Sequence, residues 1–388
     1  MKKKVIIAIS FIFVLLVSTR FISFYWCSHS APRFYTSEIS SYRAMNNGVN
    51  YWLEKEMGRE HFETGSSRFD GEWLFGTYMM IIIGKCQMAL QYPEHQQELL
   101  PGIEQAIHLL LSEDVRKFDE EAWGEDAFSF RIKDHGAYLG YANLALSFYR
   151  LLINKTTLKG DVKILEMNRQ ITAFLEKRLE ASKIMMLSSY PSEYYSVDNC
   201  AIVSSVALFG MAEKKPRKEL LKNWLIQFES VCVDSKSGTL IQAFDGEGKV
   251  VDNARASGTF LGIYFLSFID RNLSRKMYLR AKEEYFTTLL GFGAVREYTE
   301  GDSGSGDIDS GPVVFGFGLS PVGFMLGSAR MFDDEDSFTR LFATCYLGGA
   351  PEDSTRWNWR TAGPVGDCIL FSMLTCLKGR QWRALCED

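Results

Sequence analysis

The sequence predicts an all-α protein: an (α/α)6 barrel, a toroid of six helical hairpins, preceded by an N-terminal membrane anchor helix. Three observations carry this expectation. The chain is rich in aromatics (28 Phe, 17 Tyr, 8 Trp) and Gly (32) but has only 9 Pro. That balance suits long helices joined by Gly-containing loops and not a Pro-punctuated β-protein. Six segments then share one character, a polar, Gly-containing loop followed by a helix of Gly, Ala, Ser and aromatic residues. They begin near Gly71, His135, Val197, Ala256, Gly311 and Ala362, and a fixed period of this kind marks a repeat architecture. Between them run six stretches with apolar residues on one side only.

The N-terminus comes first in chain order. Lys2, Lys3 and Lys4 precede an apolar run from Val5 to Val17, and Phe21 to Cys27 continues it past Arg20. Together the two runs approach the ~20 residues that span a bilayer, and the lysines place the start of the chain in the cytoplasm. Bulky Phe24, Tyr25 and Trp26 stand where a cleavage site needs small residues, so an uncleaved signal anchor is expected, with a cleaved signal peptide as the alternative. The remainder is then extracytoplasmic, at the periplasmic face of an inner membrane or at the cell surface. Residues 1–30 form the anchor and 31–388 a single barrel domain.

The amphipathic stretches are Glu38–Met57, Gln96–Ser112, Val162–Ala181, Arg217–Val231, Arg275–Leu290 and Glu335–Tyr346. In the fourth, Leu220, Leu221, Trp224, Leu225 and Phe228 keep helical spacing while charges fill the other face. The alternating segments are apolar on nearly all sides, as doubly buried helices are. One-sided helices alternating with fully buried ones describe an outer and an inner ring; an open α-solenoid is the alternative. All loops entering inner helices then gather at one end of the barrel. Inner-helix N-termini, with their positive dipole ends and free N–H groups, face that mouth.

These loops hold the candidate site residues. Loop one carries Asp70 and Glu72; loop two Trp123, Glu125, Asp126, Asp134 and His135; loop three Tyr190, Glu193, Tyr194, Tyr195 and Asp198. Loop four carries Asp252 and Arg255, loop five Glu297, Tyr298, Asp302, Asp307 and Asp309, and loop six Arg356, Trp357, Trp359 and Arg360. Two carboxyls in an aromatic cleft can divide acid and base roles, since burial raises one pKa while the other stays ionised. Asp307 and Asp309, just ahead of an inner helix expected to carry Pro312 in its first turn, are the leading pair, with Asp126 and Asp198 opposite. Each also has a plain reading: Asp309 or Ser310 as a helix N-cap, and Asp198 likewise. Tyr141 is a proton or hydrogen-bond donor. Trp123, Tyr195, Arg255, Trp357, Trp359 and Asp70 are candidates for holding substrate, and rim packing is the alternative for the tryptophans. His135 alone in a polar loop is a weaker base.

Several classes are excluded. A net charge of -5 leaves no basic excess for nucleic acid. No CxxC or Cys/His cluster suggests zinc. The acidic stretch from Asp302 to Asp309 lacks the closing Glu of a calcium loop. No GxSxG, Cys–His pair or phosphate loop occurs, and no cofactor is expected. The eight cysteines lie mostly in apolar contexts and read as small buried hydrophobes.

From Phe69 to about Asp334 the order of elements resembles the linalool dehydratase-isomerase family of exported α/α-barrel enzymes. The likeness rests on WGEDAFSF, on the helix YLGYANLALSFYRLL, and on the tyrosine-rich loop entering VDNCAIVSSVAL. The run from NWLIQF to NARASG and the loop GDSGSGDIDSG complete it. The resemblance implies cofactor-free addition or removal of water on a small hydrophobic alcohol, with a histidine and cysteines in the pocket. Here the family's helical histidine falls on Tyr141, and its cysteine on Asn199 with Cys200 offset by one. Carboxylates and tyrosines would then carry the chemistry. A lyase acting on a small hydrophobic or sugar-like molecule is expected. A glycoside hydrolase with paired carboxylates and a non-catalytic envelope binding protein are the alternatives.

Overall fold

The computed structural model describes residues 2–387 except 56, 308, 309 and 352. Helix α1 (Lys2–Ser28) and the short α2 (Ala31–Tyr35) lead into six outer–inner pairs. These are α3 (Ile39–Glu54) with α4 (Ser67–Gln91), α5 (Gln96–Leu110) and the extra α6 (Glu113–Trp123) with α7 (Gly136–Asn154), and α8 (Val162–Ala181) with α9 (Ser196–Ala212). The series continues with α10 (Lys218–Val231) and α11 (Ala256–Leu266), α12 (Arg271–Tyr285) and α13 (Leu319–Met331), and α14 (Glu335–Gly349) and α15 (Gly363–Leu374), before a terminal α16 (Gly379–Glu387).

Each inner helix packs on the next, α4 on α7, α7 on α9, and so on to α13 on α15. Helix α15 then returns to α4. That last contact closes the ring, so the molecule is a barrel and not an open solenoid. Burial follows the expected division. The outer α10 buries Trp224, Phe228 and Val231 along one stripe, whereas in the inner α9 every residue but Val197 and Met211 is buried. The inner helices approach closely at glycines. A Cβ on Gly84 of α4 would stand 2.5 Å from the ring of Phe371 on α15. Gly84→Ala is therefore expected to cost about 1–3 kcal/mol by overpacking. Gly76→Ala, where nothing lies within 4 Å, gains helix propensity instead, by up to about 1 kcal/mol. Urea unfolding of the two variants decides whether close approach or composition explains these glycines.

Several outer helices are capped by side chains: Asp161 receives Lys163 N at 2.7 Å, and Asp270 receives Asn272 N and Leu273 N at 2.9 and 3.0 Å. None of the six inner helices has a side-chain cap bond. Their first turns point into the mouth.

The structure corrects three expectations. Phe118–Trp123, read as the start of loop two, belongs to helix α6, which is capped by Ser112 and ended by Gly124 in the left-handed region. Val115, Phe118 and Trp123 form its buried side, hidden in sequence by a run of charges. The fifth outer helix stops at Tyr285. The chain then forms a hairpin of β4 (Phe286–Leu289) and β5 (Phe292–Val295), turned by Leu290 and Gly291 at φ 53° and 94°. The fifth inner helix begins at Leu319 and not near Gly311, because β6 (Val313–Val314) and β7 (Phe317–Gly318) make a second hairpin. Two positive-φ residues, Phe315 and Gly316, turn it as a two-residue hairpin requires. Pro321, not Pro312, thus occupies the first turn. A further antiparallel sheet links loops three and four; in chain order its strands are β1 (Tyr194–Tyr195), β2 (Ile241–Phe244) and β3 (Val250–Ala254).

Candidate active site

All six inner helices contribute to one cavity of about 670 Å³ at the mouth end. Its walls are mainly apolar: Phe75, Met79, Leu261, Phe324, Ile369 and Leu370 are typical. One outer helix, α14, reaches it through Thr344, Cys345 and Gly348. Its polar side chains include Glu72 (α4), Tyr141 (α7), Asp198 (α9), Gln242, Ser257 (α11), Ser320 (α13), Thr344 (α14) and Thr361.

Asp198 sits in the first turn of α9, buried, and accepts a hydrogen bond from the Tyr141 hydroxyl at 2.8 Å. Burial pushes its carboxyl above the ordinary range, against the hydrogen bonds from Ser189 and Tyr141. Tyr190 is buried beside the pair. Its phenol is held well above its usual range by burial, with the Glu72 carboxylate next in effect. Behind Ser257 lies Glu297, fully buried, accepting from the Ser257 hydroxyl at 2.5 Å. Burial raises its carboxyl to about 7.

Glu297 makes stability pH-dependent. The unfolded chain ionises this carboxyl near the usual 4.5 and the folded chain only near 7. Between those values the folded state holds more protons, so its contribution is complete below 4.5 and is lost as pH rises through 7. Glu297→Gln is expected to stabilise the protein at pH 8, on the order of 3 kcal/mol. The check is whether the variant's unfolding midpoint flattens between pH 4.5 and 8.

The sequence candidates separate. Asp198, Tyr141 and Trp359 line the cavity; Asp198 is not the N-cap, a position held by Tyr195. Asp307 is ion-paired with Arg255 and accepts from Ser310 N at 2.9 Å, half-exposed in its loop and outside the cavity lining. Asp309, its expected partner, lies outside the described residues. Arg255 is held between Asp252 and Asp307. Asp126 is also away from the cavity: it caps a short turn through Phe128 N and pairs with Arg116 at 3.1 and 3.2 Å. Asp70 staples loop one by accepting from Thr64 N and its hydroxyl. Trp357 stacks on Phe34 at 4.4 Å, a packing role that ties loop six to α2. Tyr195 bonds Glu193 at the rim, and Trp123 packs against His135 at 5.0 Å. Ser310 bonds within its own loop and caps no helix.

Gln242 and Ser257 escaped the sequence reading; neither residue type stands out in a strand or a helix start. The position matched to the family cysteine, Asn199, clamps the backbone, accepting from Leu187 N and donating to Leu187 O and Tyr195 O. Cys200 is buried in the wall, its thiol pushed far up by burial. Cys345, at the cavity, is raised to about 12. Both are neutral thiols at pH 7. Six of the eight cysteines are buried, and all eight are free.

The ring closure and the helix pairs define an (α/α)6 barrel. No family model and no curated protein sequence matches the chain. Among solved structures it is similar to D-mannose isomerase, with a TM-score of 0.50 at 11% identity over 81% of this chain and 86% of that one. It is also similar to two α-mannanases. One is an inactive variant of an α-1,6-mannanase of Salegentibacter sp. HEL1_6 in complex with α-1,6-mannotriose (TM-score 0.47, 10% identity, 78% of this chain and 88% of that one). The other is from Bacteroides thetaiotaomicron (0.48, 8%, 81% and 88%). At these identities the likeness is one of fold.

Proposed function

We propose that the chain is a cofactor-independent acid–base enzyme of the hydro-lyase or isomerase kind, acting on a small, mainly apolar alcohol. The observation that carries this reading is the cavity itself: a mainly apolar chamber with a bonded carboxyl–tyrosine pair, Asp198 and Tyr141, in its wall. A hydrocarbon body would fill the apolar part and direct its hydroxyl to Asp198. Asp198, whose neutral carboxyl is favoured by burial, would give a proton to the leaving hydroxyl, releasing water. Glu72 would take a proton from the neighbouring carbon, completing the alkene. The resemblance to linalool dehydratase-isomerases supports the same substrate class, with Tyr141 in place of the family's histidine and the thiols serving as wall.

A glycoside hydrolase is the second reading. Trp73 and Trp359 favour it, as two indoles on one cavity that can stack on sugar rings.

We also propose that α1 anchors the protein. Val5, Ile6, Ile7, Ile9 and Phe11 to Leu15 present exposed apolar side chains along it. Among the described residues Ser67–Gln91 is the stretch long and apolar enough to cross a membrane, but it is buried as the core helix α4; Val5–Leu15 is a shorter apolar stretch.

The experiment is a turnover screen of the full chain in lipid nanodiscs against terpene alcohols and oligosaccharides. Dehydration or isomerisation of an alcohol supports the first reading, release of sugar the second, and no turnover of either class sinks both.

A further inference from the structure

The β4–β5 hairpin is not built like one that faces water. None of its residues lines the cavity, and from Phe286 to Val295 it carries no charge, the usual guard of an exposed edge. Leu289 and Leu290 at its tip are 59% and 65% exposed. Leu290 takes φ 53°, at a turn position that favours asparagine or glycine. The tip sits against α1. Arg340 of α14 donates to Gly291 O at 3.0 Å. A Cβ built on Gly291 would stand 3.4 Å from Phe24 Cγ, and the Phe24 and Phe292 rings meet edge to face at 5.6 Å. Around Phe24, the side chains of Phe21, Ile22, Tyr25 and Trp26 are exposed. An exposed apolar surface thus continues from α1 onto the hairpin.

The direction of α1 tells which end of the barrel this surface belongs to. Helices α1 and α14 lie side by side and run the same way: the Arg340 guanidinium stands 5.9 Å from the Phe24 ring, and the Tyr346 ring 5.8 Å from that of His29. Thr344, Cys345 and Gly348, in the last turns of α14, line the cavity, so α14 starts at the base and ends at the mouth. Traced back from Phe24, α1 therefore heads for the base. At about 1.5 Å per residue, Leu15 lies about 6 Å and Val5 about 20 Å beyond the level of Glu335. The exposed apolar length of α1 leaves the barrel at the end opposite the mouth.

We infer that the β4–β5 tip is a second membrane contact: Leu289 and Leu290 seat in the lipid interface beside α1, and the barrel stands on the bilayer with its mouth open to water on the far side. Lipid is the partner that fits, because the patch is apolar, uncharged and continuous with the anchor. Tyr25 and Trp26 beside it are of the types that gather at the membrane–water interface. A barrel held by one helix can swivel about it; the hairpin fixes which flank rests on the lipid. The chamber then takes its substrate from the aqueous compartment and not directly from the bilayer.

This inference rests on α1 being the anchor, and the test separates the two. The full chain is placed in phosphatidylcholine–phosphatidylglycerol nanodiscs with one nitroxide label at a time, at Phe13→Cys, Leu290→Cys or Phe315→Cys. Cys345→Ala and Cys386→Ser first remove the native thiols that are not buried. Relaxation by oxygen, which concentrates in lipid, is compared with relaxation by a water-soluble nickel chelate. The labels replacing Phe13 and Leu290 are expected to respond more to oxygen, and the label replacing Phe315, on the mouth hairpin, more to nickel. A nickel response at Leu290 with an oxygen response at Phe13 overturns the inference and leaves the anchor standing. A nickel response at Phe13 removes the anchor, and the inference with it. An oxygen response at Phe315 puts the mouth on the bilayer and overturns the orientation.

Discussion

Asp198→Asn is expected to reduce turnover by about 10²–10⁴-fold, the range of a lost general acid, while the fold stays intact. Burial already favours the neutral carboxyl, and an amide has nearly the shape of a protonated acid. The Asn oxygen can still accept from Tyr141, whose hydroxyl lies 2.8 Å from the native carboxyl. The residue is also in the first turn of α9, where a negative charge interacts favourably with the helix dipole. Unfolding midpoint and kcat should therefore respond differently. A variant with wild-type kcat removes Asp198 from the chemistry. A variant that unfolds with the loss of turnover gives it a structural role instead.

The second large effect concerns Arg330. It is fully buried near the end of α13, and none of its hydrogen-bond partners among the described residues is charged. Its guanidinium donates to the carbonyls of Phe34 and Tyr35, both at 2.6 Å, to that of Cys376 at 3.0 Å, and to the Ser37 hydroxyl. These acceptors come from the segment entering the first hairpin and from the end of the last. One side chain thus joins the two ends of the ring. Hydrogen bonds from a charged donor are worth more than neutral ones, and removing the donor strands the acceptors in a dry interior. Arg330→Ala is expected to lose about 4 kcal/mol, the scale of a broken buried network. Arg330→Lys should recover little, since three donors on a flexible stem cannot replace a planar fork with five. Chemical unfolding in detergent provides the measurement, and a loss below about 1 kcal/mol for the alanine variant contradicts the clasp.

The fold was legible where burial leaves a period. Helix α8 begins and ends where the sequence places it, with Asp161 capping its start. Inner helices announce themselves because both their faces are buried. The fifth pair was misread for a local reason: Leu290 and Phe315 adopt left-handed turns with side chains that carry no turn signal. At the site, Asp198 and Tyr141 could be found as polar residues at the start of apolar helices. Gln242 and Ser257 could not, since only the folding of the chain brings a strand glutamine and a helix-start serine to the cavity. Asp307 drew attention as part of a glycine-rich acidic loop. The ion pair that occupies it comes from Arg255 in another loop, and no spacing within either segment reports a contact between them.

The return of α15 to α4 has a meaning for how such a chain can change over generations. An open array gains or loses units at its ends, because only one interface is affected. A ring has no end unit. Deleting any hairpin exposes the flanks of two inner helices, and inserting one alters the curvature at every junction. Rearrangements that keep the number of hairpins, such as new termini cut in a loop at the base with the old ones joined, conserve all six junctions. Variation in this architecture is thereby steered toward the mouth loops and away from the number of its parts.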